Sequence, residues 1–271
     1  MQLKIFDLCW DATDIAYINE DMNLTGNTIF ITGGGSGIGR GLAEAFHKLG
    51  NQVIISGRRQ GHLAQTTAAN PGMQSVELNV EDPSNIAAVA KKLIGDFPAL
   101  NVLINNAGIM QPDQTGGVVD EAVLTSTITT NLLGPIRMTS ALIEHLKKQP
   151  AARVINVTSG LAFVPLAMTA IYCSTKAALH SYSLSLRYRL KDTSVRVLEL
   201  APPWVQTDLM NSNNEPGAMP LAQFIEETMK VLGTDADEVL VERVNMLRNN
   251  PGPHEAAFVT KFNDMLAHPP K

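Results

Sequence analysis

From Asn27 onward, short β-branched runs alternate with longer helical patterns, and this alternation narrows the possible folds more than any other feature. The segments TIFIT, QVIIS, QSVELN, NVLIN, RVINVTS and VRVLEL read as strands. Their apolar character is continuous rather than alternating, as in strands covered on both faces of a parallel sheet. Between them, GIGRGLAEAFHKLG puts Ile38, Leu42, Ala45, Phe46 and Leu49 on one helical stripe, with Gly50 as a stop. DPSNIAAVAKKLIGDF opens with Asp82, Pro83 and Ser84, which supply a cap and a proline tolerated in a first turn. Strands alternating with helices make right-handed βαβ units. They predict an α/β fold, a doubly wound parallel sheet flanked by helices on both faces.

No internal repeat or linker divides this pattern, so residues 24–271 read as a single domain. Residues 1–23 read as a loosely attached extension, native or appended, with Met22 as an alternative start. The extension lacks the basic start, sustained apolar segment and cleavage site of a secretory signal. After Leu200, APPWVQTDLMNSNNEPGAMP has no clear period and reads as a long loop. LAQFIEETMKVLG and DADEVLVERVNMLRNN read as amphipathic helices, and AAFV as one last strand.

Composition excludes several classes. A chain of 271 residues with 45% hydrophobic content suits a globular core, and its formal net charge of -5 gives no pull toward nucleic acid or an anionic membrane. No apolar run is long enough for a membrane helix. Two cysteines, Cys9 and Cys173, and six dispersed histidines have neither disulfide-framework nor metal-site spacing, so no metal is expected. A cytoplasmic location is the expectation.

The segment ITGGGSGIGRG follows the first strand and opens the first helix, with Gly33, Gly37 and Gly39 in a G-x-x-x-G-x-G spacing. Glycine there permits a tight turn, close approach to a pyrophosphate and close packing of helix on strand. The helix start adds free N–H groups and a positive dipole end. This is a dinucleotide site. A second pattern lies in IYCSTKAALH, where one helical turn stacks Tyr172 and Lys176 on the same face. An ammonium beside a phenol favours phenolate, which would bring a group of ordinary pKa near 10 toward useful proton transfer.

Taken together, TGGGSGIG, NNAG (Asn105 to Gly108) and YCSTK resemble the motifs of the short-chain dehydrogenase/reductase family, with Ser159 thirteen residues before Tyr172. The resemblance implies a Rossmann-like fold, a homodimer or homotetramer, and direct hydride transfer between a nicotinamide and a carbonyl carbon. It implies Tyr172 as general acid or base and Lys176 as the residue that lowers the tyrosine pKa and bonds the nicotinamide ribose. Ser159 would bond the reacting oxygen, and Asn131 would hold a water joining Lys176 to solvent. Further cofactor contacts are implied at Gly33, Gly35, Ser36, Gly37, Ile38 and Gly39, at Asn79 and Val80, at Asn105, Ala107 and Gly108, and at Pro202, Val205 and Thr207. Pro203 stands where the family commonly has glycine, stiffening that loop.

The second strand ends in Ser56 and Gly57 followed by Arg58 and Arg59, with no acidic residue to repel a 2′-phosphate. Guanidinium groups hold phosphate by paired bonds, so NADP(H) is expected ahead of NAD(H). Met110, Leu161, Phe163, Val164, Met168, Trp204, Leu209 and Met210 are expected around the reacting carbon, an apolar lining suited to a hydrophobic ketone or secondary alcohol. The leading expectation is an NADPH-dependent carbonyl reductase. Its alternatives are an NAD-dependent dehydrogenase of an alcohol, sterol or sugar, and a NADP(H)-binding redox sensor with little turnover.

Overall fold

The computed structural model describes residues 23–250 and 252–267. Among these residues the strands are β1 (Thr28–Thr32), β2 (Gln52–Gly57), β3 (Gln74–Glu77), β4 (Leu100–Asn105), β5 (Ala152–Val157), β6 (Val195–Leu200) and β7 (Glu238–Val239). They form one sheet in the order β3-β2-β1-β4-β5-β6-β7, and every pairing is parallel. The helices are α1 (Gly37–Lys48), α2 (Gln60–Ala69), α3 (Pro83–Asp96), α4 (Glu121–Ile128), α5 (Gly134–Leu146), α6 (Ala170–Leu190), α7 (Leu221–Leu232), α8 (Asn245–Arg248) and α9 (Glu255–Ala267). A π turn, Thr129–Leu133, joins α4 to α5. None of the helices is long and apolar enough to cross a membrane.

The continuous apolar strands have a simple cause: successive side chains enter two different cores. Ile29 and Ile31 of β1 join Val53 and Ile55 against Phe46 of α1 and Phe224 of α7. Phe30 and Ile54 join Leu103, Val154 and Val197 against Leu93 of α3 and Met138 and Leu142 of α5. Asp82 caps α3 as expected, its carboxylate accepting from the Ser84 N–H with Pro83 in the first turn. The strand order reverses between β1 and β4, which opens a crevice at their carboxyl ends, where ligands bind in sheets of this kind.

Three sequence expectations change. AAFV is helical, lying in α9; the seventh place in the sheet is taken instead by Glu238–Val239, beside β6. The segment 235–250 is therefore not one amphipathic helix but β7, a 3-10 turn at Glu242–Val244 and α8. Val239 and Val244 are buried, and β-branched residues at a free sheet edge win over a helical stripe. On α1, Leu49 caps the helix and is exposed, while Ala43 is buried in its place. The expected extension, but for Asn23, lies outside the described residues.

Phe46 has no exposed surface and fills the space between α1, the sheet and α7. Replacing it by alanine is expected to cost about 3–5 kcal/mol, read as a lower denaturant midpoint with an unchanged slope.

Candidate active site

The glycine loop crosses the exit of β4 at close range, and its residue types follow from that. Gly33 has φ +69, and a β-carbon there would stand 2.9 Å from Ala107 Cα. A β-carbon at Gly39 would come within 2.4 Å of both the Gly33 carbonyl oxygen and Asn106 Nδ2. The Asn106 amide donates to the carbonyls of Thr32 (3.0 Å) and Gly33 (3.2 Å). The Thr32 hydroxyl accepts from the N–H groups of Asn106 and Ala107, each at 3.0 Å. Thr32 and Asn106 thus hold the cleft floor, roles the sequence reading did not assign to them. Threonine at the start of the T-G-x-x-x-G-I-G match was the available signal.

Asn105, expected at the cofactor, turns its side chain away. Its amide is buried and donates to Thr139 Oγ1 and Asn156 Oδ1, both at 2.9 Å, because the last residue of β4 points into the sheet's packed face rather than into the cleft. Ala107 and Gly108 follow in the cleft wall, and a β-carbon on Gly108 would lie 3.7 Å from Lys176 Nζ. Across the cleft, Thr207 packs on Gly37 at the start of α1, its Cβ 3.4 Å from where a Gly37 β-carbon would stand. Val205 is bridged to Met219, and the Pro202 carbonyl accepts from Gly160 N–H at 2.8 Å.

The N-terminus of α1 carries no side-chain cap, although Ser36 occupies the capping position. The Ser36 hydroxyl instead accepts from Arg59 Nη2 at 2.8 Å. Gly35 lies against α2, a β-carbon there meeting His62 at 3.3 Å, and Ile38 packs into the core between α1 and α7. A Gly-built cradle with uncapped N–H groups and an adjacent guanidinium fits a dinucleotide. Arg58 is held differently, by an ion pair with Glu81 at 2.8 Å. Asn79 accepts from the Glu81 N–H through Oδ1 at 3.2 Å, and Val80 is buried against Gly134.

Helix α6 starts at Ala170 and carries Tyr172 in its first turn. Thr169 offers it no side-chain cap. The cap comes from Asp113 on the loop after β4, whose carboxylate accepts from Ile171 N–H at 2.8 Å. Asp113 therefore fixes the start of α6 directly beside the tyrosine, which no local pattern had indicated. Tyr172 is 6% exposed and Lys176 4%, and Lys176 Nζ stands 5.6 Å from the centre of the tyrosine ring. Nζ donates to the Val157 carbonyl at 2.8 Å. Val157 is the last residue of β5, two before Ser159, so the same strand end positions the serine. Ser159 Oγ accepts from Leu161 N–H at 3.1 Å, which leaves the hydroxyl proton to face a second acceptor.

Burial pushes the Tyr172 phenol up to about 12, against a hydrogen bond with Ser159 that pulls it down. Desolvation is the larger of these two effects, so without a cofactor the phenol keeps its proton. Lys176 is brought down to about 8, also by burial, with the Glu199 carboxylate opposing. Asn131, in the π turn, is fully buried. Its side chain accepts from Ile109 N–H (2.9 Å) and donates to the Ile109 carbonyl (2.8 Å) and Thr175 (3.3 Å). The amide thus clamps the loop after β4 to the π turn and to α6.

The eight expected substrate residues separate. Val164 is core, with 1% exposure. Phe163 packs edge-on to His180 at 5.2 Å and under Arg248 at 5.0 Å. Trp204 covers Gly217 and donates to Ser212 Oγ at 2.8 Å, yet half of it stays exposed. Met168 and Leu209 are exposed, and Met110, Leu161 and Met210 are half-buried. Met210 and Asn211 have φ of 56 and 53, a left-handed turn that costs energy in non-glycine residues.

Residues 27–217 match the short chain dehydrogenase family. An oxidoreductase of Bacillus subtilis, DltE, described as uncharacterized, is 40% identical over 84% of this chain and 93% of its own length. An NADP-dependent 3-hydroxy acid dehydrogenase of Schizosaccharomyces pombe is 33% identical over 68% of this chain and 74% of its own. A short chain dehydrogenase from Burkholderia cenocepacia, solved in complex with NADP, superposes with a TM-score of 0.77 at 25% identity, covering 92% of this chain and all of that one.

Lys176 loses its proton near pH 8 when folded, against an ordinary lysine value of 10.5. The buried charge therefore costs stability in full below pH 8, and the cost vanishes as pH rises through 10.5. Lys176→Met is expected to be more stable than wild type at pH 7 by up to roughly 3 kcal/mol. That margin should shrink above pH 8 in urea unfolding followed across the pH range.

Proposed function

Given that the chain belongs to the short-chain dehydrogenase family, we propose that it is an NADPH-dependent reductase of apolar ketones and aldehydes, with Tyr172 as the proton donor. A bound nicotinamide supplies the hydride. The chain's own residues do the rest. Ser159 and Tyr172 together bond the substrate oxygen, and Tyr172 passes its proton to that oxygen as negative charge builds on it. A phenol pushed up to about 12 is fully protonated at neutral pH, the form an acid needs. Lys176, charged and 5.6 Å from the ring, stabilises the phenolate left behind. Oxidation of an alcohol must first remove that proton, so neutral pH favours reduction.

The observation that carries this reading is the common burial of Ser159, Tyr172 and Lys176 at the carboxyl end of β5, beside the glycine cleft. The cofactor reading is supported by Arg59 on Ser36 and by the absence of an acidic residue at the end of β2. The NADP dependence in the name of the fission yeast relative, and the NADP bound in the Burkholderia protein, point the same way. Exposed Met168, Trp204 and Leu209 support an apolar substrate that covers them on binding. Cytoplasmic action as a homodimer or homotetramer completes the proposal.

Tyr172→Phe is expected to lower kcat for ketone reduction by about 10²–10⁴-fold while NADPH binding, followed by fluorescence titration, stays close to wild type. A fully active variant removes the proposed acid. Arg59→Ala is expected to weaken NADPH by about 10–100-fold, the worth of one charged hydrogen bond, and NADH much less. Equal losses for both cofactors would show that Arg59 does not read the 2′-phosphate.

A further inference from the structure

Glu199 has no exposed surface. On β6 it stands in register with Asn156 of β5 and Glu238 of β7, and Asn156 in turn with Asn105 of β4. Four strands thus carry one polar row at their carboxyl ends, on the face that α6 covers. Glu199 uses both oxygens. Oε1 accepts from the Thr158 hydroxyl at 2.6 Å, and Oε2 lies 2.7 Å from His180 Nδ1. Thr158 lies between Val157, whose carbonyl holds the Lys176 ammonium, and Ser159. His180 lies one turn beyond Lys176 on α6. One carboxylate therefore ties the strand end bearing the serine to the helix bearing the tyrosine and lysine.

A carboxylate buried this deeply costs several kcal/mol unless positive charge compensates it. From α6, His180 contacts it, and Lys176, one turn earlier, is held by the carbonyl of Val157 next to the Thr158 that bonds Glu199; Tyr172, protonated, brings no charge. From β7, Glu238 adds a second negative charge, its carboxylate and the polar atoms of His180 and Glu199 all lying within 4.8 Å of one another. From α8, Arg248 binds Glu238 through Nε (2.8 Å) and Nη2 (3.0 Å), and its charge also acts on Glu199. Arg187 acts on Glu238 from the same helix as Lys176. Glu238 is thus answered by guanidinium groups, whereas Glu199 is the carboxylate that acts on the Lys176 ammonium, opposing the effect of its burial.

We propose that Glu199 is a positioning residue for this site: it favours the charged form of Lys176 at neutral pH and holds the Ser159 strand end against α6. The proposal rests on the reductase reading for its catalytic consequence, but its physical content is testable without it. In cofactor-free protein labelled with ¹³C-lysine, the Lys176 signal is identified by its loss in Lys176→Met. It should titrate near pH 8 in wild type, lower in Glu199→Gln, and near the wild-type value in Glu199→Asp. An unmoved titration in Glu199→Gln overturns the proposal.

Kinetics give the second readout. In ketone reduction the alkaline limb of kcat should shift downward with the lysine in Glu199→Gln, while kcat at pH 6 changes little. A purely structural role would lower kcat at every pH without moving the limb, and that result overturns the proposal. Absence of turnover in wild type would instead defeat the reductase reading, with the titration still deciding the role of Glu199. Should Glu199→Gln alone not fold, the double variant Glu199→Gln/Lys176→Met is expected to fold, because no unpaired lysine charge remains buried; its failure to do so also overturns the proposal.

Discussion

Lys176 carries an ammonium into the interior, and the region where β5 meets α6 is arranged around accommodating it. The side chain donates to the carboxyl end of β5, lies over the tyrosine ring and draws on a buried carboxylate from β6. Each contact also fixes a neighbour. Val157 fixes the approach to Ser159, and the helical turn fixes Tyr172. Burial works on the phenol and the ammonium in opposite senses, raising one and lowering the other. Both shifts reduce charge in the pocket. The result is a pocket in which Tyr172 stays neutral at neutral pH.

The cofactor half depends on a different constraint, the closeness of two chain segments where the strand order reverses. The glycine loop after β1 and the loop after β4 pass within van der Waals distance, and their backbones are joined through Thr32 and Asn106. Any β-carbon at Gly33 or Gly39 would push these loops apart. The loop after β4 is then clamped to the π turn by Asn131, which bonds Ile109, and to the start of α6 by its own Asp113. The cofactor cleft and the start of α6 are therefore connected by one loop, held at three points by side chains bonding to backbone.

Local patterns made much of this legible. The apolar runs marked six of the strands; five are covered on both faces, which leaves a strong signature in a single segment, whereas β3 lies at the sheet edge and is mostly exposed. The glycine loop and the Tyr172–Lys176 spacing were legible for the same reason: each is set by one turn or one loop. The C-terminal region was harder. A two-residue edge strand such as Glu238–Val239 carries almost no periodicity, and its place is decided by β6 beside it. The turn of Asn105 away from the cleft was equally hidden, because two adjacent asparagines look alike until the pleat assigns one to each side.

By itself the sequence determined the doubly wound α/β architecture, the location of a dinucleotide cleft and the stacking of Tyr172 and Lys176 on one helical turn, all consequences of short-range spacing. Only the tertiary structure decided the protonation balance of that pair, which depends on how much water the packed helix and sheet exclude. It alone also aligned Asn105, Asn156, Glu199 and Glu238 into one row. Those four residues are scattered over more than a hundred positions, and parallel register is what makes them neighbours. Electrostatics acts through space and through the dielectric around each charge, and neither is written in the order of residues along the chain.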